Sequence, residues 1–256
     1  MAANLEKWNV YKEYCIMSNH VLIKSESFTY PSRGERKSLS DEYPKIPVLK
    51  FDCKVSKVDL LTRKVPFEHF DRKNNLFYWN RLLYNRFQLV KESYVIAMVN
   101  YRRGFTDDPK VILDESQFVN KWKFDYYAEM FYYLFFSAQD QLAHILKIFY
   151  ELMLEERQTA LIPVLTCKIQ NEEVKTVLNT FAKTTGDARE YRNAFAHRFP
   201  PTEPDFRSEF NIINANKELN FREGPQVSAE KIVANMKSSI DALNELMIKL
   251  RELVTE

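Results

Sequence analysis

The sequence predicts a mainly α fold: a helical bundle of four to five principal helices behind a small N-terminal segment that is irregular or a β-hairpin. Three observations carry that expectation. Only four of the 256 residues are glycine (Gly34, Gly104, Gly186, Gly224), so the chain has few of the residues that left-handed turns favour. Long stretches place apolar side chains at steps of three and four, the period of one helix face. Seven of the ten prolines fall within residues 31–66 and 200–204, outside those periodic stretches.

Taken in chain order, Leu5, Trp8, Tyr11 and Cys15 are spaced for a short helix. Residues 21–66 are the least helical part, punctuated by Pro31, Pro44, Pro47 and Pro66, with residues 32–40 reading as a polar, charged loop. Phe51, Cys53 and Val55 alternate with polar neighbours, the period of a half-buried strand. From about residue 67 to 103, Leu76, Trp79, Leu83, Phe87, Val90, Tyr94, Ala97 and Tyr101 form one helical stripe, closed by Arg102, Arg103 and Gly104. This is one long helix, or two broken near Asn74.

A second long helix is expected over about 116–157, with Phe124, Tyr127, Phe131, Leu134, Ala138, Leu142, Ile145, Phe149 and Leu152 on one face. Trp122, Tyr126, Met130 and Tyr133 widen that face, as in a central helix or one covered also by a second subunit. Asn171 caps a third helix, with Glu172 and Glu173 in its first turn and Val174, Val177, Leu178 and Phe181 inward. It runs past Gly186 to about His197, where Pro200, Pro201 and Pro204 forbid continuation and residues 200–226 read as an irregular connection. Ser228 caps the last helix, whose stripe is Ile232, Val233, Met236, Ile240, Leu243, Met247, Leu250 and Val254. The domains expected are thus an N-terminal extension over 1–66 and a helical domain over 67–256.

Composition narrows the function. With 37 basic and 35 acidic residues the formal net charge is +2, which argues against a broad nucleic-acid or membrane footprint. The glycine count leaves no GxGxxG or GxxxxGK[ST], so Rossmann and P-loop nucleotide binding are excluded. Cys15, Cys53 and Cys167 have no CxxC pairing and read as buried, reduced thiols. His20, His69, His144 and His197 have no metal-ligand spacing, so no metal site and no cofactor are expected. No GxSxG elbow supports a hydrolase triad. The start of the chain has no apolar signal region and no stretch is long enough to span a membrane, which predicts a cytoplasmic protein without a membrane partner.

One stretch stands out, Glu190-Tyr-Arg-Asn-Ala-Phe-Ala-His-Arg-Phe199. Arg192 is followed directly by Asn193, and His197 comes five residues after the arginine. The loose arginine-to-histidine spacing arises by chance about 0.7 times in such a chain, whereas requiring the asparagine lowers this to about 0.03. A second loose match, Arg63 to His69, lacks the asparagine. On a helix Asn193 and His197 are i and i+4 on one face, with Arg192 about 100° round. Histidine moves protons near neutral pH and arginine offers a permanent, planar fork for phosphate oxygens. Without further context, His197 equally fits a helix-end residue bonding a carbonyl, and Arg192 an ion pair with Asp187 or Glu190.

The Arg192-Asn193-x3-His197 pattern resembles the Rx4-6H signature of the HEPN superfamily, helical proteins that include metal-independent ribonucleases of toxin-antitoxin, phage-defence and CRISPR-associated systems. The resemblance covers about residues 67–256. It implies an HEPN-like bundle and a homodimer with a composite active site. Its substrate would be RNA: Arg192 would stabilise phosphate charge, His197 would act as base or acid, and Asn193 would position the pair. It also implies an antitoxin or regulatory protein as partner. In HEPN toxins controlled by a nucleotidyltransferase, a tyrosine two residues after the histidine is modified; here that position is Phe199, which has no hydroxyl. Between Gly186 and Gly224 six basic residues face seven acidic ones, so no extended basic groove is expected. The other reading is a non-catalytic HEPN-like interaction or ligand-binding module.

Overall fold

The structure, a computed structural model, describes residues 14–18, 21–24, 27–51, 58, 61–62, 66–108, 111–155, 166–203, 208–213, 216–221 and 227–255. Its elements in order are β1 (Tyr14–Ser18), β2 (Val21–Lys24), α1 (Arg33–Glu42), α2 (Phe67–Arg103), α3 (Glu115–Phe149), α4 (Glu172–Thr184), α5 (Gly186–His197), β3 (Ser208–Ile213), β4 (Asn216–Phe221) and α6 (Ala229–Leu253). The mainly α class is borne out, with two antiparallel hairpins, β1–β2 and β3–β4, as its sheet content among the described residues. The described residues fall into two compact units, one from the segments 1–42, 93–129 and 194–233, the other from 43–92, 130–193 and 234–256.

The second unit holds the packed aromatic core. Leu76, Leu83, Phe87 and Val90 of α2 are buried, as are Phe131, Tyr132, Phe135, Leu142, Ile145 and Leu146 of α3. Val174, Leu178 and Phe181 of α4 and Met236, Ile240, Leu243, Met247 and Leu250 of α6 complete it. Each fully buried Leu, Ile or Phe removes apolar area worth about 1.5–3 kcal/mol from water. Tyr132 is the polar node of this core: its hydroxyl donates to Asn235 Oδ1 at 2.9 Å and its ring meets Tyr191 edge-on, with centroids 5.8 Å apart. Asn171 caps α4 by accepting the N–H groups of Glu173 and Val174 at 3.0 and 3.1 Å. The α4–α5 joint is a single turn residue, buried Thr185, whose N–H reaches Phe181 O at 2.9 Å.

In the first unit the last turns of α2 are buried all round, Ser93 to Asn100 without a break, which explains an apolar run with no polar face. Gly104 then ends the helix at φ +91°, and its carbonyl accepts the Asn120 side-chain amide at 3.1 Å. Arg102 and Arg103 at the end of α2 pair with Glu42 and Glu35 of α1 at 3.0 and 2.8 Å.

Several expectations are corrected. Residues 32–40 are not a loop: Ser32 and Glu35 form a capping box, with Ser32 N donating to Glu35 Oε2 at 2.8 Å and Glu35 N to Ser32 Oγ at 3.3 Å, and α1 follows. Residues 200–226 are not wholly irregular, since Phe210 and Ile212 alternate with polar neighbours in β3, paired in register with β4 from Ser208↔Phe221 to Ile213↔Asn216. α2 is unbroken at Asn74. α3 stops at Phe149 rather than near 157, because Leu152 N bonds Lys147 O at 3.0 Å and Glu151 N bonds Ile148 O at 3.3 Å. That pair is the Schellman closure, with Glu151 at φ +50°. Cys15 lies in strand β1 rather than a helix, and Cys167 is exposed, in a short helical turn over residues 166–168 ahead of the α4 cap. Trp122 and Tyr126 of α3 are 43% and 50% exposed, stacked on each other 6.1 Å apart. Leu5, Trp8, Tyr11, Cys53 and Val55 lie outside the described residues; Phe51 is buried, and Lys50 bridges Thr255 in parallel.

Candidate functional site

α5 carries all three residues of the Arg192-Asn193-x3-His197 pattern. It starts at Gly186 with Asp187 in its first turn, favourable beside the positive end of the helix dipole. It stops at His197 because Pro200 and Pro201 follow; the Arg198 N–H still reaches Ala194 O at 2.9 Å, and there the ladder ends. Gly186–Asn193 belong to the second unit and Ala194–His197 to the first.

The residues differ in setting. His197 is exposed at the last helical position, and Asn193 is half-buried. Arg192 is half-buried, its guanidinium carbon 5.4 Å from the centroid of the Phe136 ring, and its Nε is buried without a hydrogen-bond partner among the described residues. The Phe136 ring is itself buried, so α3 provides a fixed apolar floor under the arginine.

Two further residues, which the sequence reading passed over, join Arg192 at this floor. Arg189, one turn earlier on α5, also stands over Phe136 at 5.7 Å. Asp140, one turn after Phe136 on α3, feels both cations. Burial pushes its carboxyl above the ordinary aspartate range, while Arg192 and then Arg189 pull it down without prevailing. The signal was present in the sequence as two i-spaced pairs, Phe136/Asp140 and Arg189/Arg192, but which helix faces which is a tertiary fact.

In the first unit, the segment after the motif is tied down by a small charged cluster. Lys121 Nζ donates to Asp125 Oδ2 at 3.1 Å, Asp107 Oδ1 at 3.5 Å and Thr202 O at 3.4 Å. Asp107 in turn accepts the Ala229 N–H at 2.6 Å, capping the first turn of α6. Asp125 is pushed up to about 7 by burial, with Lys121 opposing and Glu203 and Asp107 adding repulsion. Val227 N closes on Pro201 O at 2.9 Å. The backbone just beyond His197 is therefore anchored by Lys121.

Trp79 accounts for His144, its ring stacked on the imidazole at 4.3 Å, and His69 is exposed in the first turn of α2. Among the described residues no group of three His, Cys, Asp or Glu side chains is placed to hold a metal ion, and no helix is long and apolar enough to cross a membrane.

No curated protein and no solved structure shows significant similarity to the chain. A family model does match: that of the Cthe2314-like HEPN domains, over residues 78–256. The match takes in α2 from Tyr78 onward, α3, α4, the motif helix α5, the β3–β4 hairpin and α6. Covering well over half of the chain, it establishes that this protein belongs to the Cthe2314-like HEPN family.

Proposed function

We propose that the protein is a metal-independent endoribonuclease acting on single-stranded or loop RNA. One observation carries the reading: α5 presents an exposed histidine at its end and, less than two turns earlier, an arginine held on an aromatic floor that forms no salt bridge among the described residues. Such an arginine keeps its terminal N–H groups for phosphate oxygens. His197 takes the 2′-hydroxyl proton, the 2′-oxygen attacks the adjacent phosphorus, and the bond to the 5′-oxygen breaks. The products are a 2′,3′-cyclic phosphate and a 5′-hydroxyl, the leaving oxygen gaining a proton from an acid. Arg192 stabilises the charge that builds on the phosphorane, and Asn193 orients the phosphate. In a homodimer two copies of the motif meet, so that one imidazole accepts the proton and the other supplies it. The role is defence or toxicity in a bacterial cytoplasm, restrained by an antitoxin or regulator that does not modify position 199.

The test is cleavage of RNA in EDTA by the wild type, His197→Ala and Arg192→Ala. Cleavage by the wild type and a loss of about 10²–10³-fold or more in each variant is the expected result. Equal cleavage by all three, or none by the wild type, rejects the enzyme and favours a non-catalytic HEPN module. Mixing the two inactive variants restores part of the activity if the site is composite.

A further inference from the structure

We infer that Arg189 is a second phosphate-binding cation of the α5 site, holding the RNA phosphate next to the one gripped by Arg192, with Asp140 as their shared counter-ion when no RNA is bound. The inference deepens the ribonuclease reading and rests on it for the identity of the polyanion. Residues three apart on a helix lie about 60° from each other, and here both guanidiniums converge on one ring, 5.7 and 5.4 Å from the Phe136 centroid. A guanidinium over an aromatic face is held there without using up its N–H donors. Among the described residues neither forms a salt bridge, and the buried Arg192 Nε has no acceptor.

The charge balance of the cluster is the second argument. Two permanent positive charges converge on this ring, and the carboxylate that answers them, Asp140, is disfavoured in its ionised form by its own burial. Asp187 and Glu190, the acids of α5, are exposed. Two like charges on one apolar floor repel each other, and an anion placed between them removes that repulsion. A phosphodiester fits, because its two free oxygens match the arginine fork. Arg192, nearer the histidine in sequence, takes the scissile phosphate; Arg189, a turn back, takes its neighbour. Arg189 therefore acts in ground-state binding rather than on the transition state.

The experiment measures binding of a non-cleavable 2′-O-methyl oligoribonucleotide by fluorescence anisotropy at several salt concentrations, beside cleavage of the unmodified RNA. Arg189→Gln is expected to weaken binding about tenfold and to lower the salt slope by about 1, while Arg189→Lys restores most of both. In cleavage, Arg189→Gln raises KM by a similar factor and leaves kcat within about threefold. Asp140→Asn tightens binding. If the wild type cleaves RNA and Arg189→Gln binds as tightly with the same slope, the inference is overturned and the ribonuclease reading stands. If the arginines bind the oligonucleotide but nothing is cleaved, the nuclease reading fails and the phosphate site survives. A wild type that neither binds nor cleaves overturns both.

Discussion

Two arginines in the second unit each lie over a phenylalanine of α3, each with a buried Nε that finds no hydrogen-bond acceptor among the described residues, and they differ in what the rest of the guanidinium reaches. Arg72 sits 5.6 Å from the Phe149 ring, donates from Nη2 to the Phe149 carbonyl at 2.9 Å and pairs with Glu151 at 3.4 Å. It closes the C-terminal end of α3, where unpaired carbonyls and the negative end of the dipole favour a cation. Arg192 sits 5.4 Å from the Phe136 ring in the middle of the same helix, with no helix end to cap and no salt bridge or carbonyl contact among the described residues. The same aromatic contact thus holds one guanidinium that the fold has used up and another that it has left available. Availability, rather than burial or the aromatic contact, is what singles out Arg192 for the proposed role.

The largest expected effect exchanges the consequences of removing each. Arg192→Ala abolishes RNA cleavage while thermal stability changes little. Arg72→Ala keeps cleavage within a few-fold but destabilises by about 1.5–3 kcal/mol, the worth of a charge-assisted hydrogen bond that leaves a carbonyl unpaired. For a chain of this size that is a fall in Tm of roughly 4–10 °C. Cleavage rates and melting curves of the two variants, measured together, check it; a destabilised Arg192→Ala with residual cleavage would show that Arg192 is structural too.

A smaller effect extends the contrast to the acids beneath the arginines. Arg103 bonds Glu35 through Nε at 2.8 Å and Nη2 at 3.1 Å and, with Ser32, brings its carboxyl down to about 2, whereas Asp140 under Arg189 and Arg192 is raised. The signs of the pH dependence are therefore opposite. Glu35, whose folded value is depressed, contributes stability that is present above its ordinary value near 4.5 and lost as pH falls through about 2. Asp140, whose folded value is elevated, favours folding most below its ordinary value near 3.8, and that benefit is lost as pH rises through the elevated value. At pH 7 Glu35→Gln should lower stability by about 1 kcal/mol after solvent screening, and Asp140→Asn should raise it. The Asp140→Asn difference should vanish below about pH 4 and the Glu35→Gln difference near pH 2. Melting temperatures across pH 2–8 decide it, and a shift of the same sign in both variants would contradict the assignment.

How much of this was legible in the sequence follows from what is local. The stripes of α2, α3 and α6 and the Asn171 cap were readable because helix period and caps are properties of neighbours in sequence, and residues such as Leu83, Phe131 and Met247 are buried where their spacing puts them. The Ser32–Glu35 capping box and the alternation in β3 are equally local, but polar composition and nearby prolines masked them. Arg192, Asn193 and His197 share one helix and could be singled out by spacing alone. Phe136, Asp140 and the distinction between Arg72 and Arg192 could not, because they depend on which side chains of α3 lie under which arginine.

The smallest expected effect concerns Glu151, which completes the structural side of the comparison. It occupies the left-handed position of the Schellman closure at φ +50°, where a side chain costs energy that glycine does not incur. Glu151→Gly relieves about 1 kcal/mol of strain but adds freedom to the unfolded chain and removes the carboxylate facing Arg72. That ion pair is weak, because the Glu151 side chain is 76% exposed and the 3.4 Å contact to Arg72 Nε lacks hydrogen-bond geometry. The Arg72 bond to the Phe149 carbonyl is untouched by the change. The net expectation is a gain of a few tenths of a kcal/mol, read as a rise in Tm of about 1–2 °C. In an Arg72→Ala background the gain should be slightly larger, since no ion pair is then lost. A fall in Tm of several degrees in the wild-type background would mean that Glu151, and not the carbonyl, is the partner that holds Arg72 in place.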